Sequence, residues 1–158
     1  MDADRIEISQ ISPVVVGGWL LLLCLVLTFV SPATALYTLF LHVVPALMRA
    51  KTPNGITILT VRCGLTLTLA IFSFIAGLKL WFVKPGAVVF AKLYLLLYLA
   101  GNIAFFLLWL TMFRSAPGAQ LAQMAWYHVV GPIPSFALWY FYLENSNRVR
   151  ATYGPDLE

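Results

Sequence analysis

The sequence predicts an all-α integral membrane protein, with four transmembrane helices in a small bundle and an interfacial segment after the first helix. Three observations predict it. Hydrophobic residues make up 61% of the chain and charged residues 10%, against roughly one quarter charged in an ordinary soluble domain. The apolar residues fall into long blocks, at residues 14–48, 56–82, 87–113 and 119–143, as membrane spans require. Between Glu7 and Glu144 there is no aspartate or glutamate, yet the stretch holds seven cations, Arg49, Lys51, Arg62, Lys79, Lys84, Lys92 and Arg114. Such a stretch supplies no carboxylate acid or base, no carboxylate ligand for a hard metal ion and no acidic half of a proton relay.

The first block is long for one span and short for two. Ser31-Pro32 divides it, because proline interrupts a helix, and the second piece, residues 33–48, reaches only about 24 Å as a helix. One span is therefore expected at residues 17–40, followed by an interfacial stretch containing His42, Pro45 and Arg49; five spans is the alternative count. The acidic flank of Asp2, Asp4 and Glu7 beside a single Arg5 lacks the basic leader of a secretory signal, so this block is expected to be a retained helix. The remaining blocks are 25 to 27 residues long and reach roughly 40 Å each. They give spans at residues 57–82, 88–113 and 120–143. The 158 residues are read as one membrane domain with short polar tails.

Tryptophans prefer the membrane interface. With four spans, Trp19, Trp81 and Trp139 form one belt and Trp109 and Trp126 the other. The same count places Arg5, Lys79, Lys84, Lys92, Arg148 and Arg150 at one face and Arg49, Lys51, Arg62 and Arg114 at the other. Six cations against four put both termini in the cytoplasm by the positive-inside rule.

Candidate site residues follow from polar groups inside the spans. Arg62 and Lys92 lie within two turns of their block ends, so snorkelling to the headgroups is the first reading of both. An inward Arg62 would instead need a backbone carbonyl, a lipid phosphate, a terminal acid or another subunit as its partner. His42 and His128 are the chain's only imidazoles. Two histidines from different helices can clamp a haem iron, and haem b is the cofactor alternative to two hydrogen-bonded or interfacial side chains. In the third span Tyr94, Tyr98, Asn102 and Phe105 fall on one helical stripe, with Gly101 beside it. Interhelical hydrogen bonding is its expected role, and a headgroup or quinone pocket the alternative.

The second span offers Ala70, Ser73 and Gly77 as a small-residue seam for close helix approach. Gly131-Pro132-Ile133-Pro134 is expected to break the fourth span near its middle, since each proline removes a donor and frees a carbonyl. Broken helices bind substrates in transporters, so Pro132 and Pro134 carry the transport reading. Cys24 and Cys63, on different helices, are read as packing residues rather than as a disulfide or metal site. Ser31, Ser73 and Ser135 have no evident base to activate them.

Two end motifs frame the chain: Gly17-Gly18-Trp19-Leu20 leading to Ser31-Pro32, and Trp139-Tyr140-Phe141-Tyr142-Leu143 followed by Ser146-Asn147-Arg148-Val149-Arg150-Ala151-Thr152. In these the sequence resembles the bacterial membrane-protein family named domain of unknown function 2569. The resemblance implies a four-helix inner-membrane protein of bacterial origin and brings no activity, cofactor or catalytic residue. Glu144 and Asn145 stand before Ser146, where a more basic pattern is expected.

These readings converge on a multi-pass protein of the bacterial inner membrane with no evident catalytic site and no nucleic-acid partner. Its expected role is that of a structural or accessory subunit that binds and stabilises other membrane proteins or copies of itself. Unpaired basic loops support this, since they must meet lipid phosphates or a partner's acids. Two alternatives stand beside it: a small transporter or channel-like protein built on the fourth span, and a haem- or quinone-binding redox subunit using His42 and His128.

Overall fold

A computed structural model describes residues 18–114 and 117–154. Arg5, the acids Asp2, Asp4 and Glu7, and Gly17 lie outside the described residues. About 89% of the structure is helical, with no strand among the described residues. Three helices are long and apolar enough to cross a membrane: α1 (Trp19–Arg49), α2 (Pro53–Trp81) and α3 (Ala87–Met112). A further stretch comes in pieces: α4 (Gly118–Ala125), a π-helical turn (Trp126–Val130) and α5 (Pro132–Asn145). The short α6 (Asn147–Tyr153) comes last.

The first block differs from expectation. Residues 33–48 are not a helix of their own, and the stretch with His42, Pro45 and Arg49 continues the first helix, because α1 runs on through both prolines for 31 residues. A proline inside a helix lacks its N–H, and its ring collides with the carbonyl four residues back. Widened turns absorb both defects. Val26–Val30 precedes Pro32 and Leu39–Val43 precedes Pro45 as π-helical turns. In them the Ser31 N–H donates to the Val26 carbonyl and the Val44 N–H to the Leu39 carbonyl, each five residues back. The extra residue in each turn moves the carbonyls away from the proline ring.

The expected break at Gly131-Pro132-Ile133-Pro134 is resolved in the same way. The Gly131 N–H donates to the Trp126 carbonyl at 2.7 Å, and Gly131 keeps helical dihedrals of φ −59° and ψ −42°. Pro132 then opens α5 at a first-turn position, where a missing N–H is tolerated. A Cβ on Gly131 would lie 3.2 Å from the Trp126 carbonyl oxygen, a tight contact, although Ser31 and Val44 occupy the same position in the other two widened turns.

A π-turn leaves a carbonyl behind. Because the Ser31 N–H reaches back to Val26, the Leu27 carbonyl has no helical donor, and the Ser73 hydroxyl of α2 donates to it at 2.8 Å. Ser73, Ala70 and Gly77 are all buried on one face of α2, so the small-residue seam is where α1 meets α2. Contact is closest at Gly77, where a Cβ would sit 2.8 Å from the Thr28 nitrogen. The Thr28 hydroxyl in turn accepts from the Trp81 indole at 3.1 Å.

Thr52 caps α2 by accepting from the Gly55 N–H at 3.2 Å, with Pro53 at the first helical position. The tight connection to α3 requires two left-handed residues, Val83 at φ 46° and Gly86 at φ 71°. Leu20, Leu23, Leu80, Val88 and Leu143 pack into the main core, and Ile58, Phe105 and Trp109 into a smaller one. α6 folds back onto the main core through the fully buried Val149. The Tyr153 hydroxyl donates to the Leu80 carbonyl at 2.7 Å, and its burial raises the phenol's pKa. At the same end Trp19 and Trp139 meet edge to face, with ring centroids 6.5 Å apart.

Candidate functional site

Three helical stripes converge on one cavity of about 340 Å³. From α2 come Arg62, Thr66 and Ala70; from α3 Tyr94, Tyr98 and Asn102; from α1 Ser31, Thr34 and Thr38. Spacings of three and four residues put each set on one side of its helix. The α1 half of the cavity packs on α2, and the α5 half on α3. Thr34, Tyr127 and Ser135, from the two flanking stretches, are exposed, while Tyr94, Leu95 and Asn102 at the back are buried. The mouth therefore lies between α1 and the stretch of residues 118–145.

Arg62 turns inward, contrary to the snorkelling expected of it. Its Nη1 donates to Asn102 Oδ1 at 3.4 Å, and its guanidinium carbon lies 5.0 Å from the Phe105 ring centroid. A carbonyl acceptor and an aromatic face give the cation polar partners inside the bundle, which the sequence alone did not assign to it. Among the described residues no carboxylate pairs with it, the one ion pair there being Lys92 with Glu144. Lys92 extends to that exposed carboxylate at the end of α5, as a side chain reaching for the helix ends does.

Asn102 is the hub. It is 4% exposed, and its Nδ2 donates to the Tyr98 carbonyl at 2.8 Å, which fixes the orientation of the amide. Oδ1 then faces two donors, Arg62 and the Nδ1 of His128 at 3.3 Å. For that second contact to be a hydrogen bond the imidazole carries its proton on Nδ1. The His128 ring also meets Phe105 edge to face at 5.0 Å. One amide thus ties α2, α3 and the π-turn of residues 126–130 together. Nearby, Tyr94 and Ser31 share a hydroxyl–hydroxyl bond of 3.0 Å.

The structure brings together most of the residues the sequence singled out. Arg62, Tyr94, Tyr98 and Asn102 line the cavity, and Phe105 and His128 back it. His42 does not join them: it is exposed on α1 beside Tyr37, at a ring distance of 6.0 Å. Neither histidine lines the cavity. Pro132 is buried and Pro134 exposed, and both lie outside the lining. Cys24 and Cys63 are free thiols, and no cluster of three or more potential metal ligands occurs among the described residues. The sequence marked Ser31 only beside its proline and as an unactivated serine, and sequence reasoning missed Thr34, Thr38 and Thr66 as lining residues. Their signal was the same helical spacing that exposed the tyrosine stripe, but hydroxyls on α1 stand out little among apolar neighbours.

Helices of this length and apolarity, packed around an internal arginine, define an α-helical bundle of membrane type with a cavity of mixed polar and apolar lining between its helices. The chain belongs to the family described as Protein of unknown function (DUF2569), which it matches over residues 13–154. That range takes in both end motifs. No curated protein and no solved structure matches the chain.

Proposed function

We propose that this chain is a four-span protein of the bacterial inner membrane, with both termini in the cytoplasm, that works by binding rather than by catalysis. As a structural or accessory subunit it holds an acidic group supplied from outside its own spans and thereby stabilises an assembly with lipid and with other membrane proteins or copies of itself. One observation carries this reading: Arg62 points into the bundle, and among the described residues its charge meets an amide and an aromatic ring but no carboxylate. A cation held away from water is stable only when paired, so the arrangement calls for an anion. The Trp19–Trp139 contact supports four antiparallel spans, since it joins the start of the first to the end of the last.

A small transporter using the fourth stretch is the second reading, and the helical dihedrals of Gly131 lend it less support than an unwound segment would. The test is native mass spectrometry of the protein extracted in mild detergent. Wild-type protein is expected as a stoichiometric complex, either a homo-oligomer or a pairing with one defined partner, that R62Q weakens. A lone monomer whose thermal midpoint no neighbour alters would overturn the reading.

A further inference from the structure

The acid that Arg62 awaits can be narrowed by the shape and position of its cavity. α2 is 29 residues long, about 43 Å against a hydrocarbon core about 30 Å thick, so an upright helix centred in the core would overhang it by roughly 7 Å at each end. Arg62 lies nine residues beyond Pro53, about 14 Å along the helix. Its Cα is thus roughly 7 Å below the headgroup boundary, within one arginine side chain of a phosphate there. Instead of rising to that boundary on the outer surface, the guanidinium points into the cavity.

The cavity changes character along its length. Near Arg62 the walls carry Asn102, Thr38 and Tyr98; about two turns deeper they carry Leu69, Leu95 and Leu27, beside the hydroxyls of Ser31 and Tyr94, which bond each other. A polar, cationic end joined to an apolar end matches a ligand with an anionic head and a hydrocarbon body. At about 340 Å³ the space lies at the small end of the roughly 300–1,000 Å³ of ligand pockets. It suits a head and the first methylenes, while the mouth between α1 and the stretch of residues 118–145 lets a longer chain extend into the bilayer.

We propose that this cavity binds the oxyanion head of an anionic amphiphile, a phosphate or carboxylate carried on an acyl chain, with Arg62 as its counter-charge. The proposal rests on the binding role above and names the class of acid that fills it. Asn102 holds the guanidinium in place, and Thr38 and Tyr98 offer hydroxyls for the remaining oxygens.

Native mass spectrometry of the protein released from phosphatidylglycerol or phosphatidylcholine nanodiscs separates the outcomes, because one spectrum reports both protein copies and retained lipids. Wild-type protein is expected to keep phosphatidylglycerol at least tenfold better than phosphatidylcholine. R62Q is expected to lose that preference, and R114Q, which removes an exposed cation on the same side, to keep it. Thr34→Phe narrows the mouth without touching Arg62 and is expected to lower retention as well, which covers the case in which R62Q fails to fold. Displacement of the lipid by oleate assigns the head to any single-chain acid, and resistance to oleate assigns it to the phospholipid; either supports the proposal. Equal retention of the two phospholipids by the wild type, or displacement by inorganic phosphate as effective as by oleate, overturns it. If retention is equal while R62Q still lowers the protein copy number, the binding role stands and its acid belongs to a protein.

Discussion

The Leu27 carbonyl owes its partner to a proline five residues later. Pro32 forces the widened turn, the turn diverts the Ser31 N–H to Val26, and the carbonyl left over is met by Ser73 of another helix at 2.8 Å. Ser73→Ala removes that donor at a fully buried position, where an orphaned acceptor costs about 1–3 kcal/mol. The variant is expected to lower the thermal midpoint in detergent, and an unchanged midpoint would mean that water reaches the carbonyl. Sequence reasoning placed Ser73 on a packing seam but assigned its hydroxyl no acceptor. A side chain's partner depends on which carbonyl a distant turn releases, and no local pattern records that. Arg62 was misread for the same reason: its distance from the helix end permitted snorkelling, and only the amide of Asn102 on a neighbouring helix turns it inward.

Among the elements, α1 and α2 are joined where glycine removes the space between them. A Cβ at Gly77 would meet the backbone of Thr28 at 2.8 and 3.0 Å, and backbone cannot step aside as a flexible side chain can. Gly77→Ala is expected to destabilise the bundle by about 1–3 kcal/mol through overpacking. Gly64→Ala in the same helix meets nothing within 4 Å, so it is expected to be neutral or to stabilise by up to about 1 kcal/mol through helix propensity. Thermal or denaturant unfolding of the pair checks both signs; similar effects at the two sites would remove Gly77 from the close approach. The seam was legible in the sequence because small residues at helical spacing have few other uses inside a membrane. Helix continuity was not. Pro32 and Pro132 read as interruptions, yet each follows a π-turn that carries the helical path past it, as does Pro45.

At the level of the whole molecule, the formal charge of +4 leaves cations without acids, and Glu144 is the one carboxylate among the described residues. The Lys92 ammonium, hydrogen-bonded to it, holds its carboxyl below the usual carboxylate range, and Arg150 adds to the effect. A depressed folded value means that the contribution to stability is complete above the ordinary glutamate value of about 4.3 and fades as pH falls through the lower folded value. Wild type is therefore expected to unfold at a slightly higher temperature than Glu144→Gln at neutral pH, with the gap closing as pH falls below the ordinary glutamate range. The gap stays small because the carboxylate is exposed to solvent. A gap that widened on acidification would reverse the sign and exclude the pair as its source.

Composition and block length by themselves determined the class of fold, since burying a 61% apolar chain calls for helices long enough to cross a lipid core. They also determined the helical stripes, because spacing within one helix is a property of sequence order. The end motifs carried the family. Only the tertiary structure decided that stripes from three helices face one cavity, that Arg62 enters it, and that the prolines bend turns without ending helices. Those outcomes depend on which helices become neighbours and at what rotation, quantities set by packing between distant segments.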